Sequence, residues 1–209
     1  TSTPSGIDHA KQLNVTDMPG LNMVASSYFF HAAETLFSNQ HKGRCIVMMR
    51  HPVERAASLF AVMSKDQSSS PELHGISIDD YANSDQVERN WMTRFLSNAQ
   101  DDDLTVKHLA LAKKVMETKC IVGLLKYKGT SLARIEHYFG WTMDSEKSRE
   151  CHTKLLDWNW PSKNKHSQVQ EGSETWRKLA SLNNLDMSLY KHAEKVFNLQ
   201  GDSLFRNLE

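Results

Sequence analysis

The sequence predicts an α/β fold, a parallel sheet flanked by helices whose sheet is truncated or divergent. Three observations lead there. Cys45-Ile-Val-Met-Met49 is short, partly β-branched and free of polar alternation, the pattern of a strand buried on both faces of a parallel sheet. Cys120-Ile-Val-Gly-Leu-Leu125 repeats that pattern. Each run leads through a turn into a segment with apolar residues at helical spacing, and strand, turn and helix in succession point to parallel pairing. With 209 residues, 39% of them hydrophobic, residues 1–209 suffice for one substantial core and read as a single domain.

The elements follow in order. Residues 1–20 are polar, carry Pro4, Gly6, Pro19 and Gly20, and read as a loosely ordered arm. A third strand is expected within residues 8–27, around 21–25, and a helix over 28–38. Pro52 suits a first helical turn, where its missing N–H costs nothing, and Ala56, Leu59, Phe60 and Met63 give 52–65 an apolar face. Gln67-Ser-Ser-Ser-Pro71 is a loop, either solvated or lining a groove. Ser77 with Asp80 forms a capping-box pattern opening a helix over 78–83. Val87, Trp91, Phe95 and Leu96 predict a helix over 85–97. The acidic turn Asp101-Asp-Asp103 lacks the alternating oxygens and glycine of a calcium loop, and suits the positive end of a helix over 106–118. A helix over 131–139 closes at Gly140, a left-handed stop. Residues 151–172 read as a long connection, with Cys151 in a polar loop, and the last helices span 173–182 and 186–199, ending near Gly201.

The chemistry concentrates where the first strand ends. Arg50 leaves its carboxyl end, in the crevice where open α/β sheets bind ligands. The following helix offers free N–H groups and a positive dipole end to a phosphate, and Arg50 adds a bidentate fork. Ser58, two turns in, is placed to donate its hydroxyl to the same anion. The same pattern also describes an ordinary helix start, with Arg50 paired to a carboxylate and Ser58 solvated.

Arg50, Pro52, Arg55, Ser58 and Phe60 in this spacing resemble the segment by which sulfotransferases hold the 3′-phosphate of 3′-phosphoadenosine 5′-phosphosulfate (PAPS). Asn90-Trp-Met-Thr-Arg-Phe-Leu96, Cys120-Ile-Val-Gly-Leu-Leu125 with Tyr138-Phe-Gly-Trp141, and Asp186-Met-Ser-Leu-Tyr-Lys-His-Ala193 with Phe197 are similar to Golgi-type carbohydrate sulfotransferases and their algal or protist relatives. The likeness runs from about residue 40 to the end. It implies a P-loop-like sulfotransferase fold, PAPS or its product PAP as co-substrate, no metal, a carbohydrate or other hydroxyl acceptor, and the Golgi lumen. Arg50 and Ser58 become the phosphate ligands. Ser162-Lys-Asn-Lys-His166 is similar to the loop that folds over the nucleotide in that family, which gives Lys163 and Lys165 a binding role. Trp158 and Trp160 either stack on an adenine or pin that loop to the core.

Two departures bear on activity. The family's Lys-Thr/Ser-Gly-Ser/Thr-like loop, which cradles the 5′-phosphosulfate, has no counterpart here: Thr1-Ser-Thr-Pro-Ser-Gly6 lacks the cation and no apolar strand precedes it. The chain is then either a piece of a longer protein or a relative that has lost half of the donor site. The positions where the family carries a catalytic His or Glu fall on Met23 or Ala25, which leaves His31 as the nearby imidazole for general-base work or, alternatively, as a packed or surface residue. Two functions follow: sulfuryl transfer from PAPS to a hydroxyl, or a catalytically inactive, sulfotransferase-derived structural or binding subunit of a larger complex.

Composition narrows the field further. A formal net charge of zero argues against a nonspecific nucleic-acid binder. No run reaches the length of a bilayer-spanning helix, and no paired-His spacing marks a metal site. Cys45, Cys120 and Cys151 form neither a zinc spacing nor a disulfide framework; the first two read as small core residues, and one disulfide leaves a thiol unpaired.

Overall fold

A computed structural model describes residues 2–66, 68, 70–99, 103–156 and 168–206. The protein is mixed α/β and mostly helical, with a small parallel sheet of two strands, β1 (Cys45–Met49) and β2 (Cys120–Leu124). The register pairs Cys45 with Cys120 and Met49 with Leu124. Around the sheet, in chain order, lie α1 (Pro4–Gln12), α2 (Phe29–Leu36), α3 (Pro52–Met63), α4 (Ile78–Asn83), α5 (Trp91–Ser97), α6 (Val106–Lys119), α7 (Lys128–Phe139), α8 (Glu146–Leu156), α9 (Glu174–Leu182) and α10 (Asn184–Leu204).

The period of two along each strand divides the core into layers. Cys120, Val122 and Leu124 of β2 face one side, with Cys45, Val47 and Met49 of β1, and pack on α5, α6 and α10 through Met92, Leu96, Met116, Leu189 and Phe197. Ile46 and Ile121 face the other side, onto Ile135 of α7 and Phe205. Gly123 lies opposite Met48, and a Cβ there would collide with the Met48 sulfur and press on Ser131. A second core, built on Val53, Ala56, Tyr81 and Leu179, joins α3, α4 and α9.

β2 is buried throughout, but β1 is not: Met48 is 39% exposed and Cys45, Ile46 and Val47 are half-buried. A strand buried on both faces is therefore realised only by β2. The outer edge of β2 meets side chains instead of a third strand. Gln200 of α10 accepts from the Val122 N–H at 3.0 Å and donates to the Cys120 carbonyl at 2.9 Å. Ser131 Oγ accepts from the Leu124 N–H at 2.9 Å and donates to its carbonyl at 3.0 Å. Residues 21–25 form no strand.

The amino-terminal arm contains a helix, α1. Pro4 opens α1 at its first turn, the Thr3 hydroxyl accepts from the Gly6 N–H at 3.1 Å, and Ile7 and Ala10 pack on Ala32 and Leu36 of α2. Pro4, read as a breaker, is a helix start. The helix expected over 85–97 begins only at Trp91, because Asn90 takes a left-handed conformation (φ 53°). Cys151 lies on α8 and not in a loop; that helix carries few apolar residues and is laced by polar contacts such as Lys154 with Glu150 and His152 with Glu136, so it shows no stripe to read. Gly201 sits inside α10, where a Cβ would strike the Arg134 guanidinium.

The starts of α5 and α10 cap each other. Buried Asp186 accepts from the N–H groups of Met92 (3.0 Å) and Thr93 (2.8 Å) and from the Thr93 hydroxyl (2.7 Å). Asn90 Oδ1 in turn accepts from the N–H groups of Leu185 and Asp186, and Asn183 Oδ1 accepts from Asn90 N–H. Burial pushes the Asp186 carboxyl above its ordinary range, opposed by the bonds from Thr93 and Met92 and by the charge of Arg55. Replacing Asp186 by Ala leaves three donors without their acceptor, a loss of about 3–5 kcal/mol. Thermal unfolding of Asp186→Ala is expected to fall by roughly 10 °C, and Asp186→Asn, which keeps one acceptor oxygen, by less.

Candidate functional site

The carboxyl ends of the two strands open onto one edge. From β1, Arg50 and His51 lead into α3, with Pro52 in its first turn; from β2, the 3₁₀ turn Leu125–Tyr127 carries Lys126 and leads into α7. The His51 carbonyl accepts the first helical hydrogen bond, from Arg55 N–H at 2.8 Å, so the N–H groups of Val53 and Glu54 precede the helical ladder. The positive end of α3 therefore follows Arg50 directly in the chain.

Glu54 and Ser58 lie one turn apart on α3, whereas Arg50 stands two residues before the helix, ahead of the extended N-cap His51. Arg50 Nε lies 3.9 Å from a Glu54 carboxylate oxygen, an ion pair at the limit of contact, with Arg50 largely covered and Glu54 mostly exposed. Ser58 is half-buried one turn further on. Arg50 and Ser58 thus belong to one strand–helix unit, with the Glu54 carboxylate in contact with Arg50.

At the same strand exit, around His51, stands an aromatic and charged cluster that residue patterns did not single out. The His51 ring stacks on Trp176 at 6.1 Å and meets the edge of Tyr190 at 5.4 Å. Burial holds its imidazole below its ordinary value against the pull of Glu54, Glu171 and Glu194, and Lys126 adds to the lowering. The Tyr190 hydroxyl is pushed up to about 12 by burial and by Glu194, Glu54 and Tyr127. The signal for His51 was its place next to Arg50 at the strand exit; its partners come from α9 and α10, far along the chain.

Arg55 anchors the inner side of α3. Its guanidinium lies 4.5 Å above the Trp91 ring and binds the Glu88 carboxylate at 2.5 Å. It is a structural clamp between α3 and α5. Trp91 and Phe95 stack at 5.0 Å and, with Tyr28, Phe30 and His31, line a cleft of about 450 Å³.

His31 lies in that cleft and not in the His51 cluster. Its Nε2 contacts an Asp8 carboxylate oxygen at 2.9 Å, tying α2 to α1, with both side chains largely solvated. This geometry gives His31 a surface pairing role. Lys163 and Lys165, with Trp158 and Trp160, lie outside the described residues. Among the described residues no group of three or more His, Cys, Asp or Glu side chains is gathered to hold a metal ion, and no helix is long and apolar enough to cross a membrane.

In comparisons with protein-family models, curated proteins and solved structures, nothing matches this chain.

The depressed His51 value has a measurable consequence. An imidazole that is harder to protonate in the folded state leaves stability intact above its ordinary value of 6.5, and stability falls as pH drops from there toward the folded value, because the unfolded chain takes the proton first. His51→Phe keeps a ring against Trp176 and Tyr190 and removes that proton site. Its melting temperature is expected to fall less than that of the unaltered protein on acidification from pH 7 to about 5.5, a difference read by parallel melts across the interval.

Proposed function

We propose that the β1–α3 junction is a phosphate site of sulfotransferase type, and that the protein moves a sulfuryl group from PAPS to a hydroxyl, of a carbohydrate by the likeness in its sequence. The observation that carries this reading is the exit of Arg50 from the carboxyl end of a parallel strand directly into a proline-started helix that carries Ser58 in its second turn. Arg50 and Ser58, with the first N–H groups of α3, would hold the 3′-phosphate. On this reading the chain has a P-loop-like sulfotransferase fold.

In the transfer, the acceptor oxygen attacks sulfur as the bond from sulfur to the 5′-phosphate oxygen breaks, and the acceptor proton leaves to a base. His51, at the same strand exit as Arg50 and held toward its neutral form by burial, suits that role better than His31, which is engaged with Asp8. The 5′ end of the donor has no Lys-Thr-Gly-Ser-like loop to meet it in this sequence. The Arg50–Glu54 contact favours a second reading, a sulfotransferase-derived binding or structural subunit without the chemistry.

Thermal unfolding with and without PAP separates the two. At about a hundred times its dissociation constant, a ligand stabilises the folded state by about 2.7 kcal/mol, which for this chain length raises the melting temperature by roughly 5–10 °C. Arg50→Ala is expected to abolish the rise, through a loss of roughly 2–5 kcal/mol in binding. Glu54→Gln, which removes the competing carboxylate, is expected to tighten binding a few-fold. A sound fold with no rise in either the unaltered protein or Glu54→Gln would overturn the phosphate site and leave the second reading.

A further inference from the structure

We infer that Cys45 and Cys120 form a redox-active dithiol that closes to a disulfide across the two strands, with Cys45 as the attacking sulfur and Cys120 as the resolving one. The strand register places these residues directly opposite each other, and they open β1 and β2. Both side chains belong to the face that packs on α5, α6 and α10, so the two sulfurs lie on the same side of the sheet. Residues in register on adjacent strands have the Cα spacing that a disulfide spans. Both cysteines are free thiols, and they are in hydrogen-bond contact with each other.

The two sulfurs differ in the way such a pair requires. Cys45 is half-buried and within reach of a small oxidant, whereas Cys120 is wholly buried and is reached only through its neighbour. The bond with Cys120 lowers the Cys45 thiol against its burial, and the charge of Arg44 lowers it further; Arg44 is fixed by its contacts with the Thr118 carbonyl (3.2 Å) and the Tyr138 ring. The same bond, together with burial, keeps the proton on Cys120. The thiolate is the nucleophile in thiol oxidation, so reactivity concentrates at Cys45.

With hydrogen peroxide as oxidant the steps balance. The Cys45 thiolate attacks one peroxide oxygen, the O–O bond breaks, an S–O bond forms, and the released hydroxide takes up a proton to become water. Cys120 then attacks the Cys45 sulfur, an S–S bond forms as the S–O bond breaks, and the Cys120 proton leaves with the second water. Two thiols lose two electrons in total and peroxide gains them. The bridge fastens the amino ends of the strands, at the far end of the sheet from Arg50. It is independent of the proposed sulfuryl transfer.

The test uses the full chain carrying Cys151→Ser, which removes the exposed third thiol on α8. After mild peroxide treatment and alkylation of the remaining thiols, tryptic digestion without reductant cuts after Arg44, Arg50, Lys119 and Lys126. The expected product is peptide 45–50 joined to peptide 120–126, lighter by two hydrogens than the pair, with or without oxygens added at Met48 and Met49, and restored to two free peptides by dithiothreitol. In Cys120→Ala, Cys45 is expected to stop at the sulfenic acid and be trapped by dimedone, which the intact pair escapes. Recovery of both cysteines alkylated, of Cys45 oxidised to sulfinic or sulfonic acid in the intact pair, or of a bridge between two chains would overturn the inference. The first measurement decides even if Cys120→Ala does not fold.

Discussion

The reciprocal capping of α5 and α10 is the constraint on which the main core hangs. A helix leaves its first N–H groups without partners, and burying such an end without acceptors costs more than the packing around it returns. Here two helix starts meet inside the protein, and each supplies the acceptor the other lacks: Asp186 for Met92 and Thr93, Asn90 for Leu185 and Asp186. The arrangement fixes α10 against α5 before any hydrophobic contact is counted. Leu189, Ala193, Val196 and Phe197 of α10 then fall on the sheet face and on Met92, Leu96 and Met116. Arg55 extends the same constraint to α3, since its guanidinium lies over Trp91, binds Glu88, and lends its charge to Asp186. The helix that carries Ser58 is thereby held by the element that buries the core.

The two-stranded sheet follows from how its edges are finished. A parallel strand presents N–H and C=O groups on both sides, and those buried away from water need partners. On β2, one side pairs with β1 and the other is taken up by Gln200 and Ser131, which bond Val122, Cys120 and Leu124. A third strand on that side has no ladder left to join. This also explains the depth of burial along β2: α10 and α7 come close enough to deliver short side chains to the backbone, and Gly123 lets Met48 settle where a side chain would stand. β1, by contrast, is partly exposed over Cys45–Met48.

Features set by neighbours in the chain were legible in the sequence. Pro52 opens α3, Ser77 and Asp80 form their capping box at 3.1 and 3.2 Å, and Gly140 ends α7 with a φ of 64°. Each is a local event decided within a few residues. Features set across the chain were not legible. Nothing near Asn90 states that its side chain serves a helix start more than ninety residues away, so the helix expected from residue 85 begins at residue 91. Pro4 and Gly6 look like breakers until Thr3 is seen as a cap and Ile7 as a buried contact with α2. The site divides in the same way. Arg50 and Ser58 share a strand–helix unit and were readable from spacing, whereas the surroundings of His51 arrive from α9, α10 and the turn after β2.

The electrostatics of the β1–α3 junction explain why one short segment supports two functional readings. Glu54 in the first turn is favourable to the dipole of α3, and the same position brings it into contact with the Arg50 cation. Its carboxylate is mostly in water and its contact with Arg50 is long, so the pair contributes at most about 1 kcal/mol. A phosphate delivers more charge and more acceptor oxygens to a largely covered guanidinium, and the bidentate geometry strengthens each bond it makes. A weak internal anion of this kind holds Arg50 in place without closing the position to a stronger ligand. Glu54 is therefore one determinant of whether an anion reaches Arg50, distinct from the fold of the strand and helix that present it.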